Sequence, residues 1–185
     1  MSVIFLAGVH GVGKGHIGAP LAPTLGLSHF TASQLIREER GQATWGTDKK
    51  TTELELNQSA LIRAVNKRRQ TTDGILVDGH FVLRDSCGAL KPLEMMVFKD
   101  LNLSGVILLT EDSHVVSDRL KLRDQSAGDI GEIQELSEAE FASAKAVCSE
   151  LSIPLVVIHK PTESSVKDAI LQMLEIPART FDQTR

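Results

Sequence analysis

Tyrosine is missing from this 185-residue chain, and tryptophan occurs once. Aromatic residues make up only 4%, too few for the row of stacking rings on which single-stranded nucleic acid is bound. Cysteine is scarce as well: Cys87 and Cys148 stand far apart, and no CxxC pair occurs. A tetrahedral zinc site therefore has no obvious ligand set, and a disulfide framework is not expected. Reduced thiols in a cytoplasmic protein are the simpler expectation. No apolar run approaches the roughly 20 residues of a membrane span. The first residues carry no basic stretch, and their apolar run is too short for a signal peptide. A large charge excess is also lacking. The 24 acidic and 20 basic residues leave a formal charge of −4, which disfavours bulk binding to a nucleic-acid backbone.

What is present suits one globular domain, because 42% of the residues are hydrophobic and the length is enough for a real core. Short aliphatic runs at residues 3–7, 75–77, 106–109 and 155–158, with a weaker one at 27–30, suit strands buried on both faces of a parallel sheet. Amphipathic stretches lie between them. Residues 53–69 place Leu54, Leu61, Ile62 and Val65 on one helical face. Ser137 and Glu140 have the spacing of a capping box, after which Phe141, Ala144, Cys148 and Leu151 recur at helical intervals. Val166, Ile170, Met173 and Leu174 repeat the pattern. The alternation predicts a three-layer α/β fold with a mostly parallel five-stranded sheet, helices on both faces and right-handed crossovers. One domain over residues 1–176 is expected, followed by a frayed tail at 177–185. Two polar stretches read as exposed loops: 41–50, which holds Trp45, and 124–135, which is acidic and carries two glycines suited to a hinge or lid.

The strongest signal is Gly8-Val-His-Gly-Val-Gly-Lys14-Gly15, placed between the first apolar run and a helical segment. Glycines let successive backbone N–H groups turn inward toward phosphate oxygens. The start of the following helix adds partial positive charge, and Lys14 adds a full one. Strand, glycine loop, lysine and helix together point to the polyphosphate of a nucleotide.

The Gly-x-Gly-Lys-Gly ending resembles the loop of adenylate kinases and other nucleoside monophosphate kinases. The resemblance runs over roughly residues 3–175 as an ordered series of weak matches. It implies the P-loop NTPase fold, an acceptor-binding insertion at about 31–70 and a lid at about 124–136. It also implies ATP and Mg²⁺ as cofactors and a nucleoside monophosphate, or another small phosphate acceptor, as partner. Gly8, His10, Gly11, Val12, Gly13, Lys14, Gly15 and His16 fall on the family's nucleotide-binding loop. Thr31 and Arg37 fall on its acceptor segment, where a Thr precedes an arginine-bearing helix; one extra residue separates them here. Asp78, closing an apolar run, takes the place of the carboxylate that orients Mg²⁺ through water. The Asp78-Gly-His80 sequence is similar to the archaeal-type adenylate kinases and adenylate kinase-like ATPases. His80 and Arg84 fall near the acceptor phosphate. Arg119 and Arg123, one helical turn apart, match arginines that clamp ATP and the transferring group. Lys14, Asp78, Arg119 and Arg123 are thus the expected catalytic set.

Two departures from that pattern bear on function. Gly15 brings no hydroxyl where Ser or Thr usually holds Mg²⁺, and His16 offers only an imidazole, a poor ligand for a hard cation. No arginine occurs between Arg123 and Arg179; Lys145 is the nearest substitute and does not copy a bidentate guanidinium. Two other readings stay open. One is a slow ATP-hydrolysing switch that acts through a protein partner. The other is a kinase of a small hydroxylated metabolite, in which Asp78 would take the hydroxyl proton.

Overall fold

A computed structural model describes residues 1–41, 51–85, 87–124 and 129–175. In chain order its elements are β1 (Ser2–Ala7), α1 (Lys14–Thr24), β2 (Ser28–Thr31), α2 (Ala32–Arg40), α3 (Thr51–Arg69), β3 (Gly74–Asp78), β4 (Val82–Arg84), β5 (Leu90–Pro92), α4 (Met95–Asp100), β6 (Gly105–Thr110), α5 (Ser113–Asp124), α6 (Ile130–Glu150), β7 (Leu155–His159) and α7 (Glu163–Glu175). Five strands form one parallel sheet in the order β2-β3-β1-β6-β7. The aliphatic runs all became strands of this sheet. Their continuity follows from burial on both faces. Phe5 and Val77 enter a core shared with α3, α4 and α6, whereas Ile4, Leu6, Leu76 and Ile107 enter one shared with α1 and α7. Because β1 is central, with β3 on one side and β6 on the other, the strand order reverses there, and in open parallel sheets ligands bind beyond the carboxyl ends of the strands at such a point.

Three buried rings support that end of the sheet. Phe81 stacks on Phe98 at 4.4 Å, and Phe5 meets both edge-on at 5.3 and 5.7 Å. Directly over them passes the turn Asp78-Gly79-His80. The α2–α3 pair is tied by Arg63 and Lys67 to Glu39 and by Arg68 to Glu38. Arg69 donates to the carbonyls of Leu101 and Asn102 at the end of α4. The basic end of α3 therefore serves neighbouring elements.

Three features differ from the sequence expectation. Val82–Arg84 and Leu90–Pro92 form an antiparallel hairpin, and Met95–Asp100 a short helix; both are too short to show a period. Residues 130–135 are not a loop. Asp129 caps α6 by accepting from the Glu132 amide at 3.0 Å, and Ile133 and Leu136 begin its packed face. The Ser137–Glu140 pair consequently lies inside the helix and does not cap it. Phe141 is 42% exposed, while Glu140 points inward. The loop reading of 42–50, the lid residues 125–128 and the tail 176–185 fall outside the described residues. Among the described residues, no helix is long and apolar enough to cross a membrane.

Gly79 sets a packing limit at this end of the sheet. A Cβ there would lie 2.5 Å from Phe5 Cζ and 2.8 Å from Phe5 Cε2, and Phe5 is walled in by the other two rings. Gly79→Ala is expected to cost about 1–3 kcal/mol by overpacking, or about 2–4 °C of Tm per kcal/mol in a domain of this size. Calorimetric melting of the variant checks this; an unchanged Tm would show that the ring cluster yields freely.

Candidate active site

The chain leaves β1 at Ala7 and reaches α1 at Lys14 through a tight turn. Gly8 has φ 138°, and a Cβ there would sit 2.5 Å from the Leu109 carbonyl oxygen. Gly13 caps α1 in the left-handed region, at φ 109°. These two positions exclude other residues without strain. Lys14 is buried, and its Nζ reaches back across the loop to donate to the carbonyls of Gly8 and Val9 (2.5 and 3.1 Å). It lies 3.8 Å from Asp78 Oδ1, which closes β3 beside it. Burial lowers the pKa of Lys14, with Asp78 and then Glu140 opposing the shift. Burial likewise raises the pKa of Asp78 against the attraction of Lys14 and His29. Both charges have lost water, and each compensates the other.

Sequence reasoning missed the group that joins this site together. Glu140, 1% exposed on α6, accepts from the amides of Gly8 (3.3 Å), Phe81 (2.9 Å) and Val82 (2.8 Å). Burial raises its pKa, opposed first by the amides of Phe81 and Val82. Gly8 therefore gives its own amide to Glu140 and its carbonyl to Lys14, so its part is to shape the loop. The available signal was the position of Glu140 at helical spacing from Ile133, Leu136, Ala144 and Val147. Its spacing from Ser137 suggested a cap instead.

The remaining expected residues gather unevenly around this centre. His10 is exposed on the loop, and its ring lies 4.2 Å from that of His80. His80 Nδ1 is 3.9 Å from Glu140. Burial, followed by the charges of Lys14 and His10, holds the His80 pKa well below its ordinary value. Arg119 donates to the carbonyls of Gly11 and Val12 (3.4 and 3.1 Å) and pairs with the half-buried Glu111 at 3.2 Å. Glu111 was also missed, because one carboxylate after a strand carries no pattern. Arg123 stands near enough for its charge to act on Lys14. Val12 is buried under the loop, and His16 is exposed on the first turn of α1. Thr31 is the β2 partner of Asp78, and its hydroxyl caps α2 by accepting from the Gln34 amide at 3.1 Å. Arg37 is exposed on α2. Arg84 is turned toward the start of α6, where it donates to the Glu132 carbonyl at 3.2 Å and pairs with Glu135 at 3.0 Å.

Gly15 bears on the cation. A Cβ there would lie 3.6 Å from Asp78 Oδ2, so the missing side chain leaves room beside that oxygen. One carboxylate with open space fits Mg²⁺, which is usually held by one or two carboxylates, waters and substrate phosphates. Among the described residues no cluster of three or more His, Cys, Asp or Glu could hold a metal by itself.

A phosphate-binding loop after the first strand of a parallel sheet, followed by a buried lysine and an aspartate on the neighbouring strand, defines a P-loop domain. The chain belongs to the AAA domain family, which it matches over residues 7–137. Among solved structures it is similar to the shikimate kinase of Acinetobacter baumannii in complex with shikimate, at 15% identity and TM-score 0.59, covering 94% of this chain and 93% of that one. The shikimate kinase of Aquifex aeolicus gives 13% and 0.58, with 94% and 96% covered. A gluconokinase from Sinorhizobium meliloti 1021 gives 15% and 0.56, with 96% and 93% covered. At these identities the likeness establishes a shared fold. No curated protein matches the sequence.

Neutral His80 is built into the folded state. Its folded pKa lies below the ordinary 6.5, so the stability it contributes is present above pH 6.5 and is lost as pH falls from there toward the folded value. The slope from one such group is up to about 1.4 kcal/mol per pH unit. Denaturant unfolding of wild type and His80→Gln at pH 7.5, 6.5 and 5.5 should show a shallower acid decline in the variant. Parallel declines would mean that His80 ionises freely in the native protein.

Proposed function

We propose that the protein transfers the γ-phosphoryl group of ATP to a small hydroxylated anion held between the glycine loop, the end of β3 and α2. One observation carries this reading: Asp78, with its pKa raised by burial, stands between the Lys14 ammonium and Thr31, at the edge where α2 begins. A carboxylate so placed can take the proton that an acceptor hydroxyl loses as its oxygen bonds to phosphorus. Solved neighbours of this fold include kinases of shikimate and gluconate, both hydroxylated carboxylates, which supports the same choice.

In this reading the loop amides and the start of α1 hold the polyphosphate, and Lys14 gives its charge to the β- and γ-oxygens. Arg119 and Arg123 bring further positive charge to the donor side. Arg37 binds the acceptor's anionic group, and Thr31 fixes the start of the helix that carries it. Asp78, with the space at Gly15, would hold Mg²⁺ through an intervening water, which leaves the carboxylate able to take the hydroxyl proton. When bound, that ion would neutralise negative charge developing on the phosphates.

A nucleoside monophosphate acceptor is the second reading. It is favoured by Thr31 capping the helix that presents Arg37. Such an acceptor is already an oxyanion and asks no proton transfer of Asp78.

Incubation of the protein with Mg-ATP and a panel of hydroxy acids, sugars and nucleoside monophosphates tests both. At least one hydroxylated anion is expected to yield a phosphorylated product equimolar with ADP. Asp78→Asn should lower kcat by about 10²–10⁴-fold, and Lys14→Ala should lower kcat/KM by about 10²–10³-fold. Diphosphate formed from monophosphates alone would move the assignment to the nucleotide reading. ADP released with no phosphorylated acceptor would end the transfer reading in favour of an ATP-hydrolysing switch.

A further inference from the structure

Glu140 interrupts an otherwise apolar inward stripe on α6. Burying an anion costs several kcal/mol unless its lone pairs are met. Here the hydrogen bonds come from backbone amides, with His80 Nδ1 3.9 Å away, and those amides belong to the two stretches of chain that build the site. Gly8, 132 residues away in sequence, roots the glycine loop. Phe81 and Val82, 59 and 58 residues away, directly follow Asp78 and His80. Both oxygens are engaged, with Phe81 donating to each at 2.9 Å. A charged acceptor makes these bonds stronger and more directional than neutral ones. The carboxylate thus measures the separation between the loop and the β3 turn. It does so from α6, the helix that begins just beyond residues 125–128, and Arg84 ties the start of that helix to β4 through Glu132 and Glu135.

We propose that Glu140 is a positioning residue for phosphoryl transfer, holding the Lys14 loop and the Asp78 turn in one register set by α6. The proposal rests on the reading of the site as a phosphoryl-transfer centre. It assigns Glu140 no contact with substrate. Its loss leaves Lys14 and the loop amides in place to capture nucleotide, but it frees the loop to move against Asp78. A misplacement of about 1 Å between reacting groups can cost about 100-fold in rate. The expected signature is therefore a fall in kcat with KM for ATP little changed.

The test uses the full chain with E140Q and E140D. Turnover is followed as ADP formed from Mg-ATP with and without acceptor, affinity by titration with a fluorescent ATP analogue, and folding by thermal melting. E140Q replaces one acceptor oxygen by a donor of the same size. It is expected to bind ATP within about threefold of wild type and to lose about 10–100-fold in kcat. E140D keeps the charge one methylene short and should recover part of that loss. Because ADP is the readout, a wild type that makes ADP but no phosphorylated acceptor counts against transfer and still allows the comparison of variants. For a wild type that makes no ADP, phosphorus NMR of bound ATP replaces it, with E140Q expected to shift the γ-phosphate resonance. A folded E140Q with wild-type kcat, or with an unshifted resonance in the second case, overturns the proposal. So does a loss of activity that equals the unfolded fraction at the assay temperature. Should E140Q not fold, E140D decides by the same split between kcat and KM.

Discussion

Three charges, those of Lys14, Asp78 and Glu140, are withdrawn from water around the root of the glycine loop, and much of the surrounding structure answers to that constraint. An unpaired buried ion costs several kcal/mol, a large fraction of the stability of any domain. The ammonium is met by two carbonyls and a carboxylate, and the Glu140 carboxylate by three amides. Most of those partners are backbone groups, which cannot turn away as side chains can. The ends of β1 and β3 must therefore lie where the charges need them, and the parallel register of Phe5 with Val77 and Leu6 with Asp78 puts them there. Hydrophobic packing on both faces of the sheet fixes that register.

Under the proposed phosphoryl transfer, the site is asymmetric in how firmly its cations are held. On the donor side, Lys14 is enclosed and Arg119 is braced by Glu111 against the loop carbonyls. On the acceptor side, Arg37 is exposed on α2, whereas Arg84, which the resemblance placed at the acceptor phosphate, reaches Glu135 and the Glu132 carbonyl. A preorganised donor side lowers the reorganisation required as charge moves off the γ-phosphate. An acceptor arginine on a helix built from surface ion pairs, each worth little, suits a partner that brings its own charge to complete the arrangement.

The sequence announced the sheet and the loop because each leaves a local mark. A strand buried on two faces must be aliphatic throughout, and a loop that presents amides to phosphate must contain glycines where φ is positive, as at Gly8, Gly11 and Gly13. The α6 boundary was misread since its first turn carries the acidic, glycine-containing composition of a loop, and the cap at Asp129 resembles any other aspartate. Glu140 was hidden more deeply. Its three donors are distant in sequence and are backbone atoms, which every residue possesses, so no pattern of residue types could reveal them. Ser137, three positions earlier, offered a plausible local partner that the fold does not use. Glu111 was concealed differently: its partner is the side chain of Arg119, eight residues on across a helix start, where no regular spacing links the two.

The choice of acceptor turns on what Asp78 is asked to do. Gly15 supplies no oxygen, so among the groups beside the loop Asp78 bears the negative charge nearest to Lys14. Burial makes this carboxylate more basic than usual, and the ammonium at 3.8 Å draws it back toward ionisation. Burial raises its affinity for a proton while the neighbouring ammonium favours the carboxylate, the opposed influences that general-base action requires. An acceptor that is already an oxyanion would make no use of that tuning. A hydroxyl would, and the turn that carries Asp78 is held from below by three aromatic rings and from the side by Glu140, so the proposed proton acceptor is fixed in place by the fold itself.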